Sequence, residues 1–260
     1  MSKKADQYIV PGLVRGLAVL QLFDNSCREL SMAEITVRIG LNRSSVFRLV
    51  YTLEADGFLQ RVNGSSRYRL GARVLDLGYR FLSGLDLLEP ARPIMARLRD
   101  DTQMTAHLII RDGADIVYVD RYQSSTPFTS TVSVGTRFPA YATTPGQIQL
   151  AGLSEPEIRR LFHGIEMQAF TERTPTSIEM LLERLDEIRV QPAIVSWGRF
   201  DARISACTAP VQGRNDEVVA AVSVSCPIGS IPQSQLETSV REQVIRAARE
   251  LSKTQGCFVR

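Results

Sequence analysis

The chain has 260 residues, 44% of them hydrophobic and 23% charged, a balance that suits two packed globular domains and excludes a disordered or fibrous chain. No window approaches about 18 uninterrupted apolar residues, and Met1-Ser2-Lys3-Lys4-Ala5-Asp6 lacks the apolar run of a secretory leader, so no membrane partner and a cytoplasmic location are expected. The net charge of +3 is unevenly spread: residues 1–75 hold eleven Lys/Arg against six Asp/Glu, a net +5, and the remainder holds twenty against twenty-two, a net −2, which suits a basic module facing a polyanion.

Leu13, Leu17 and Leu20, with Val14 and Phe23 beside them, recur at helical spacing after Pro11 and predict a first amphipathic helix. Ser31-Met32-Ala33-Glu34 has the spacing of a capping box, in which hydroxyl and carboxylate each bond the other residue's amide, so a second helix starts there. Ile35 and Ile39 give it an inward face and Gly40 a left-handed stop. Asn42 then caps a third helix, Arg43 to Leu53, with Val46, Leu49, Val50 and Leu53 on one side. The other side presents Arg43, Ser44, Ser45, Phe47 and Arg48 in its first turns. That is where a recognition helix meets bases: Arg can bond guanine O6 and N7, and short hydroxyls reach phosphates or base edges.

Phe58 to Val62 and Ser66 to Leu70 read as strands around Asn63-Gly64, a pair suited to a tight hairpin with positive φ at both positions. Arg61, Arg67 and Arg69 lie on this wing, and a basic hairpin after a helix-turn-helix can follow the DNA backbone. Arg15 and Ser66 complete the candidate contacts.

The runs Val14-Arg15-Gly16-Leu17-Ala18-Val19-Leu20, Ser31 to Ile35, Gly40 to Leu49, Leu53 to Leu59 and Tyr68-Arg69-Leu70-Gly71, in this order, resemble the isocitrate-lyase-regulator (IclR) family of bacterial transcription factors. The resemblance implies an α+β protein: a winged helix-turn-helix over residues 1–72, a linker helix over 73–89 and a GAF-like effector-binding domain over 90–260. It further implies a homodimer or a tetramer built as a dimer of dimers, binding double-stranded DNA at a palindromic operator and responding to a small-molecule effector, with no cofactor.

Arg73 to Leu82 continues as a helix up to Pro90, with Leu75 and Leu82 on an apolar stripe, and a further helix is expected from Pro93 to Thr102. Thr105 to Arg111 and Ile116 to Tyr122 form an antiparallel pair around Asp112-Gly113. Helices are expected at about Glu155 to His163 and Ser177 to Arg189, strands at about Ala193 to Trp197, Ile204 to Val211 and Glu217 to Ser225, and a last helix from about Gln233 to Lys253. The resemblance extends here through the loop Phe138-Pro139-Ala140-Tyr141-Ala142-Thr143-Thr144-Pro145-Gly146 and the strand Val222 to Pro227. It implies a pocket made by Phe138, Tyr141, Thr144, Pro145, Ser196, Ile204, Ala206, Ser223 and Ser225. The loop enters a helix whose first amides can hold a carboxylate, and Ser223 and Ser225 share one strand face.

Two departures bear on the effector. The family loop usually ends in Lys or Arg where this chain has Gln147, so a cation is missing. Where family members are rich in Asp and Glu, this chain has Ser196-Trp197-Gly198-Arg199-Phe200-Asp201. With Trp197, Phe200, Tyr141 and Phe138 as aromatic surface, a flat or apolar effector is favoured over a small keto acid.

Two other functions find less support in the sequence. An enzyme would need a nucleophile beside a base, and nothing in the sequence places His107 or His163, the two histidines, near Ser223 or Cys226. Cys27, Cys207, Cys226 and Cys257 form no CxxC pair, so neither a metal site nor catalytic residues are assigned. An architectural DNA-binding protein without an effector would have no use for a concave second domain.

Overall fold

The computed structural model describes residues 8–24, 26–124 and 132–257. Residues 1–6, on which the reading of the leader falls, lie outside them. The chain divides into two compact units, Met1–Gly84 and Leu85–Arg260.

In the first unit, α1 (Pro11–Leu20), α2 (Met32–Ile39) and α3 (Arg43–Ala55) pack around Val19, Leu30, Ile35, Val46 and Val50, all fully buried. The capping box forms: Ser31 Oγ accepts from the Glu34 amide at 3.3 Å and the Ser31 amide donates to Glu34 Oε2 at 2.7 Å. Gly40 ends α2 with a φ of 69°, and Asn42 Oδ1 accepts from the Ser45 amide at 2.8 Å to start α3. These local bonds set where α2 stops and where α3 starts.

The wing pairs β2 (Leu59–Arg61) with β3 (Arg67–Leu70) in antiparallel register, and β1 (Leu30–Ser31) adds to the other side of β3. Its turn differs from the expected two-residue hairpin. The Val62 amide bonds the Arg67 carbonyl and the Ser65 amide bonds the Val62 carbonyl, so four residues, 63–66, close the loop. Gly64 takes a φ of 72° while Asn63 stays at negative φ, because the longer loop asks for one left-handed position. α4 (Arg73–Ser83) follows and has no buried residue.

The second unit is a six-stranded antiparallel sheet, in order β6-β5-β4-β9-β8-β7. Its strands are β4 (Thr105–Asp112), β5 (Asp115–Tyr122), β6 (Arg137–Pro139), β7 (Ile194–Trp197), β8 (Ile204–Gln212) and β9 (Val218–Pro227). Alternation gives the sheet two faces. Ala106, Val224 and Cys207 lie in register on one face, as do Leu108, Val222 and Ala209. There they meet α5 (Leu88–Thr102) and α10 (Arg241–Thr254). α9 (Gln233–Gln235) leads into α10 through a π turn at Leu236–Val240. α5 begins before Pro90, five residues ahead of the expected start, since a proline in the first turn removes an amide that has no helical partner anyway.

The opposite face carries His107, Ser223 and Thr208 in one row and Thr105, Ser225, Ala206 and Ser196 in the next. α6 (Thr144–Ala151), α7 (Glu155–Leu161) and α8 (Ile178–Arg189) belong to this side, around Ile148, Leu150, Ile158, Leu181 and Leu185. A 3-10 turn, Ala140–Ala142, delivers the chain into α6 so closely that a Cβ on Gly146 would collide with the Ala140 backbone. Gly146→Ala is therefore expected to destabilise this unit by about 1–3 kcal/mol through overpacking. Urea unfolding followed by the fluorescence of Trp197, the single tryptophan, will read this as a lowered midpoint; an unchanged midpoint would mean that α6 can slide.

Candidate functional sites

On the first unit the outer side of α3 is open. Arg43, Ser44, Phe47 and Arg48 are exposed, and among the described residues neither arginine makes an ion pair. Phe47 and Tyr51 stack at 6.1 Å while both remain more than half exposed. Ser44 Oγ donates to Asn42 Oδ1, which orients the first turn. Arg15 on α1 and Ser66 in the wing are exposed as well.

The wing arginines are more committed. Arg61 Nη2 donates to the Tyr68 hydroxyl at 2.7 Å and lies over that ring. Arg67 donates to the Glu29 carbonyl and pairs with Glu34 at 2.9 Å. Bonds from the Ser31 amide and hydroxyl, then Arg67, hold Glu34 down at about 2, so this carboxylate stays charged opposite Arg67. Arg69 bonds only Gln60 among the described residues and stays exposed.

On the second unit, the polar sheet face lines a cavity of about 540 Å³. Of the nine residues expected there, Phe138, Thr144, Pro145, Ser196, Ile204, Ala206, Ser223 and Ser225 line it. Tyr141 does not. The 3-10 turn swings its ring into the core against Phe162, and its hydroxyl donates to the Gln168 carbonyl at 3.0 Å. Trp197 is also outside, since it alternates with Ser196 and belongs to the other strand face.

Sequence reasoning did not place His107, Tyr118, Thr143, Arg199 and Arg203 in this wall. His107 and Ser223 are register partners across β4 and β9, and His107 Nε2 lies 3.1 Å from Ser225 Oγ. A histidine thus does sit beside these serines, contrary to the expectation from sequence. Burial, then the charge of Arg121, pushes the imidazole down to about 3, and among the described residues the buried Nδ1 has no hydrogen-bond partner. Among the described residues no carboxylate accepts from Nδ1, and the imidazole and the hydroxyl can each give or take a hydrogen bond. Ser223 shares a 2.8 Å bond with Thr208.

Rings line the wall in sequence. His107 meets Tyr118 edge-on at 5.3 Å, Tyr118 meets Phe138 at 6.0 Å, and Phe138 meets Phe200 at 4.6 Å. Arg203 is locked onto Asp201 by two bonds, 3.0 and 2.7 Å, while Arg199 bonds the Arg173 carbonyl.

Residues 12–63 match the IclR helix-turn-helix domain, and residues 79–253 match the family described as bacterial transcriptional regulator IclR C-terminal. The chain belongs to the IclR family. It is 30% identical over 247 residues to the Pca regulon regulatory protein of Pseudomonas putida, covering 95% of this chain and 84% of that one. A transcriptional regulator from Rhodococcus sp. RHA1 superposes with a TM-score of 0.82 at 31% identity, over 95% of this chain and 98% of that one. An IclR homologue of Microbacterium hydrocarbonoxydans, complexed with 4-hydroxybenzoate, shares the fold with a TM-score of 0.79 at 21% identity, over 94% and 98% of the two chains.

In this IclR-family chain the loop lacking the usual cation is rebuilt around Gln147. Its side chain is buried and donates Nε2 to the Tyr141 carbonyl at 2.8 Å, holding the 3-10 turn rather than facing a ligand. At the start of α6, Thr143 Oγ1 takes the Gly146 amide, Pro145 has none, and the Gln147 amide makes the first helical bond, to the Thr143 carbonyl. No helix among the described residues is long and apolar enough to cross a membrane.

Proposed function

We propose that this regulator reads a palindromic duplex as a homodimer, with the first turns of α3 in the major groove and the wing on the backbone, and that an organic effector held in the 540 Å³ cavity alters that binding. The observation that carries the effector half is the cavity itself. It lies in the range of ligand pockets for drug-sized molecules, about 300–1,000 Å³, and its wall sets aromatic rings beside polar side chains that could orient a ligand. A flat aromatic or apolar acid suits such a wall better than a two- or three-carbon keto acid. The complex of the Microbacterium homologue with 4-hydroxybenzoate is in keeping with this class.

The test is a thermal-shift screen of the full chain against small acids and aromatic compounds, repeated on the selected DNA. Ligands of the folded state must raise apparent stability. Stabilisation by aromatic compounds and a change in operator affinity support the proposal. No shift with any compound would favour the architectural reading, and tight pyruvate or glyoxylate binding without aromatic binding would remove the aromatic class.

Dimerisation is supported by apolar surface that one copy leaves in water. Leu75 on α4 is 74% exposed, with Tyr79 and Phe81 also exposed, and Leu13, Val14 and Leu17 on α1 are more than half exposed. Soluble monomers seldom leave such helices uncovered, and two half-sites call for two heads. In a two-fold interface each substitution enters twice, so Leu75→Ser is expected to weaken the dimer by about 1–2 kcal/mol, roughly tenfold in dissociation constant. Sedimentation velocity across a dilution series will measure this; a variant dimer as tight as the wild type would move the interface elsewhere.

A further inference from the structure

Arg199 differs from every other charged group around the cavity. It is half-buried, and among the described residues no carboxylate pairs with it; its guanidinium donates to the neutral carbonyl of Arg173 at 3.3 Å. Arg203 nearby is neutralised by its two bonds to Asp201. Burial is the main reason that the Arg199 guanidinium is pushed down to about 10, with the like charges of Arg184 and Arg173 adding to it and Glu187 opposing. It still carries a full positive charge at neutral pH, in surroundings that disfavour that charge. An anion at this position would relieve the desolvation and the repulsion together.

The opposite demand comes from His107. It lines the same cavity, is 2% exposed, has a buried Nδ1 with no partner among the described residues, and is held neutral. A neutral imidazole beside a serine hydroxyl can give and take hydrogen bonds but does not attract a negative charge. Phe138 and Phe200, in contact at 4.6 Å, lie in the same wall. The cavity is therefore polarised, with a cation contributed by the β7–β8 loop and a neutral polar pair contributed by β4 and β9.

Resting on the reading that this cavity is the effector site, we propose that Arg199 selects the effector's charge. The ligand is an aromatic monocarboxylate: its carboxylate meets the Arg199 guanidinium, its ring packs on Phe138 and Phe200, and a neutral hydroxyl or carbonyl at its far end bonds His107 and Ser225. Arg199 thereby supplies a cation that Gln147, turned to the Tyr141 carbonyl, does not. A planar guanidinium can engage both carboxylate oxygens, which an ammonium cannot do.

The experiment compares an acid with its neutral isostere. Calorimetric titration of the full chain with 4-hydroxybenzoate and with 4-hydroxybenzamide should show the acid bound at least about tenfold more tightly. In Arg199→Gln that preference should collapse to within about threefold through loss of the acid alone, and Arg199→Lys should keep part of it. Arg199→Met carries the same reading should the glutamine variant not fold. An acid-to-amide preference unchanged in Arg199→Gln overturns the assignment, as does equal binding of the two by the wild type. In those cases Ala206→Phe, which fills the cavity, decides what survives: loss of both ligands keeps the cavity as the effector site. Ligands that still bind Ala206→Phe, or no binding of either probe to the wild type, overturn the charge assignment and the cavity reading together.

Discussion

Arg43→Ala and Arg48→Ala are each expected to weaken binding to a palindromic duplex by about 2–6 kcal/mol. A bidentate contact of arginine with guanine is worth about 1–3 kcal/mol of discrimination, and a dimer makes it at two half-sites. Both side chains are exposed and without ion pairs among the described residues, so neither must break an internal bond to reach a base. Arg67 differs. Its bonds to Glu34 and to the Glu29 carbonyl pin the wing to α2. An exposed pair of this kind contributes only about 0–1 kcal/mol, so a phosphate can compete for Arg67 but gains less than it would from a free cation. Arg67→Ala should accordingly weaken all sequences alike and lower the salt slope by about one unit per half-site. Fluorescence anisotropy on a duplex selected from a random pool, against scrambled duplexes, separates the two roles. A changed sequence preference in Arg67→Ala, with none in the α3 variants, would reverse the assignment of helix and wing.

The head was readable because its signals are local. The Ser31–Glu34 box, the Asn42 cap and Gly40 each act within four residues, and each forms as the sequence predicts. What escaped was set by distant partners. β1 and β6 are two and three residues long and exist through pairing with β3 and β5; no periodicity can show in so short a run. Pro90 and Pro93 read as a boundary, yet α5 runs through both.

The cavity divides in the same way. Ser223 and Ser225 could be put on one face by strand alternation alone. That His107 faces them depends on the register of β4 against β9, more than a hundred residues apart in the chain, and no local rule supplies it. Tyr141 was misplaced because the loop closes through a 3-10 turn that rotates its ring toward Phe162. The missing cation at Gln147 was visible in the sequence. Its counterpart, Arg199, was visible as a residue but not as a wall of the cavity, since the β7–β8 loop reaches that position only by folding back, with the Gly198 amide bonded to the Ile204 carbonyl.

His107 also makes the second unit sensitive to acid, and the sign follows from its environment. In the unfolded chain an imidazole takes up its proton near 6.5, whereas in the fold burial and Arg121 delay uptake to about 3. Between those values the unfolded state holds the extra proton. The stability that His107 allows is complete above about 6.5 and is lost as the pH falls through that window, at about 1.4 kcal/mol per unit, or about 2 kcal/mol by pH 5 and about 3 by pH 4. Carboxylates such as Asp201, held at about 2 by its bonds to Arg203, act in the same direction only below about 4, so the fall between pH 7 and 5 belongs to the histidine. For a unit of this size the loss at pH 5 corresponds to a melting temperature lower by about 4–8 °C. His107→Gln places an amide where Nε2 bonds Ser225 and cannot titrate, so it should flatten that stretch of the profile. Melting followed by Trp197 fluorescence keeps the readout on this unit. A variant that loses as much stability as the wild type between pH 7 and 5 would show that another group, and not the buried imidazole, takes up the proton.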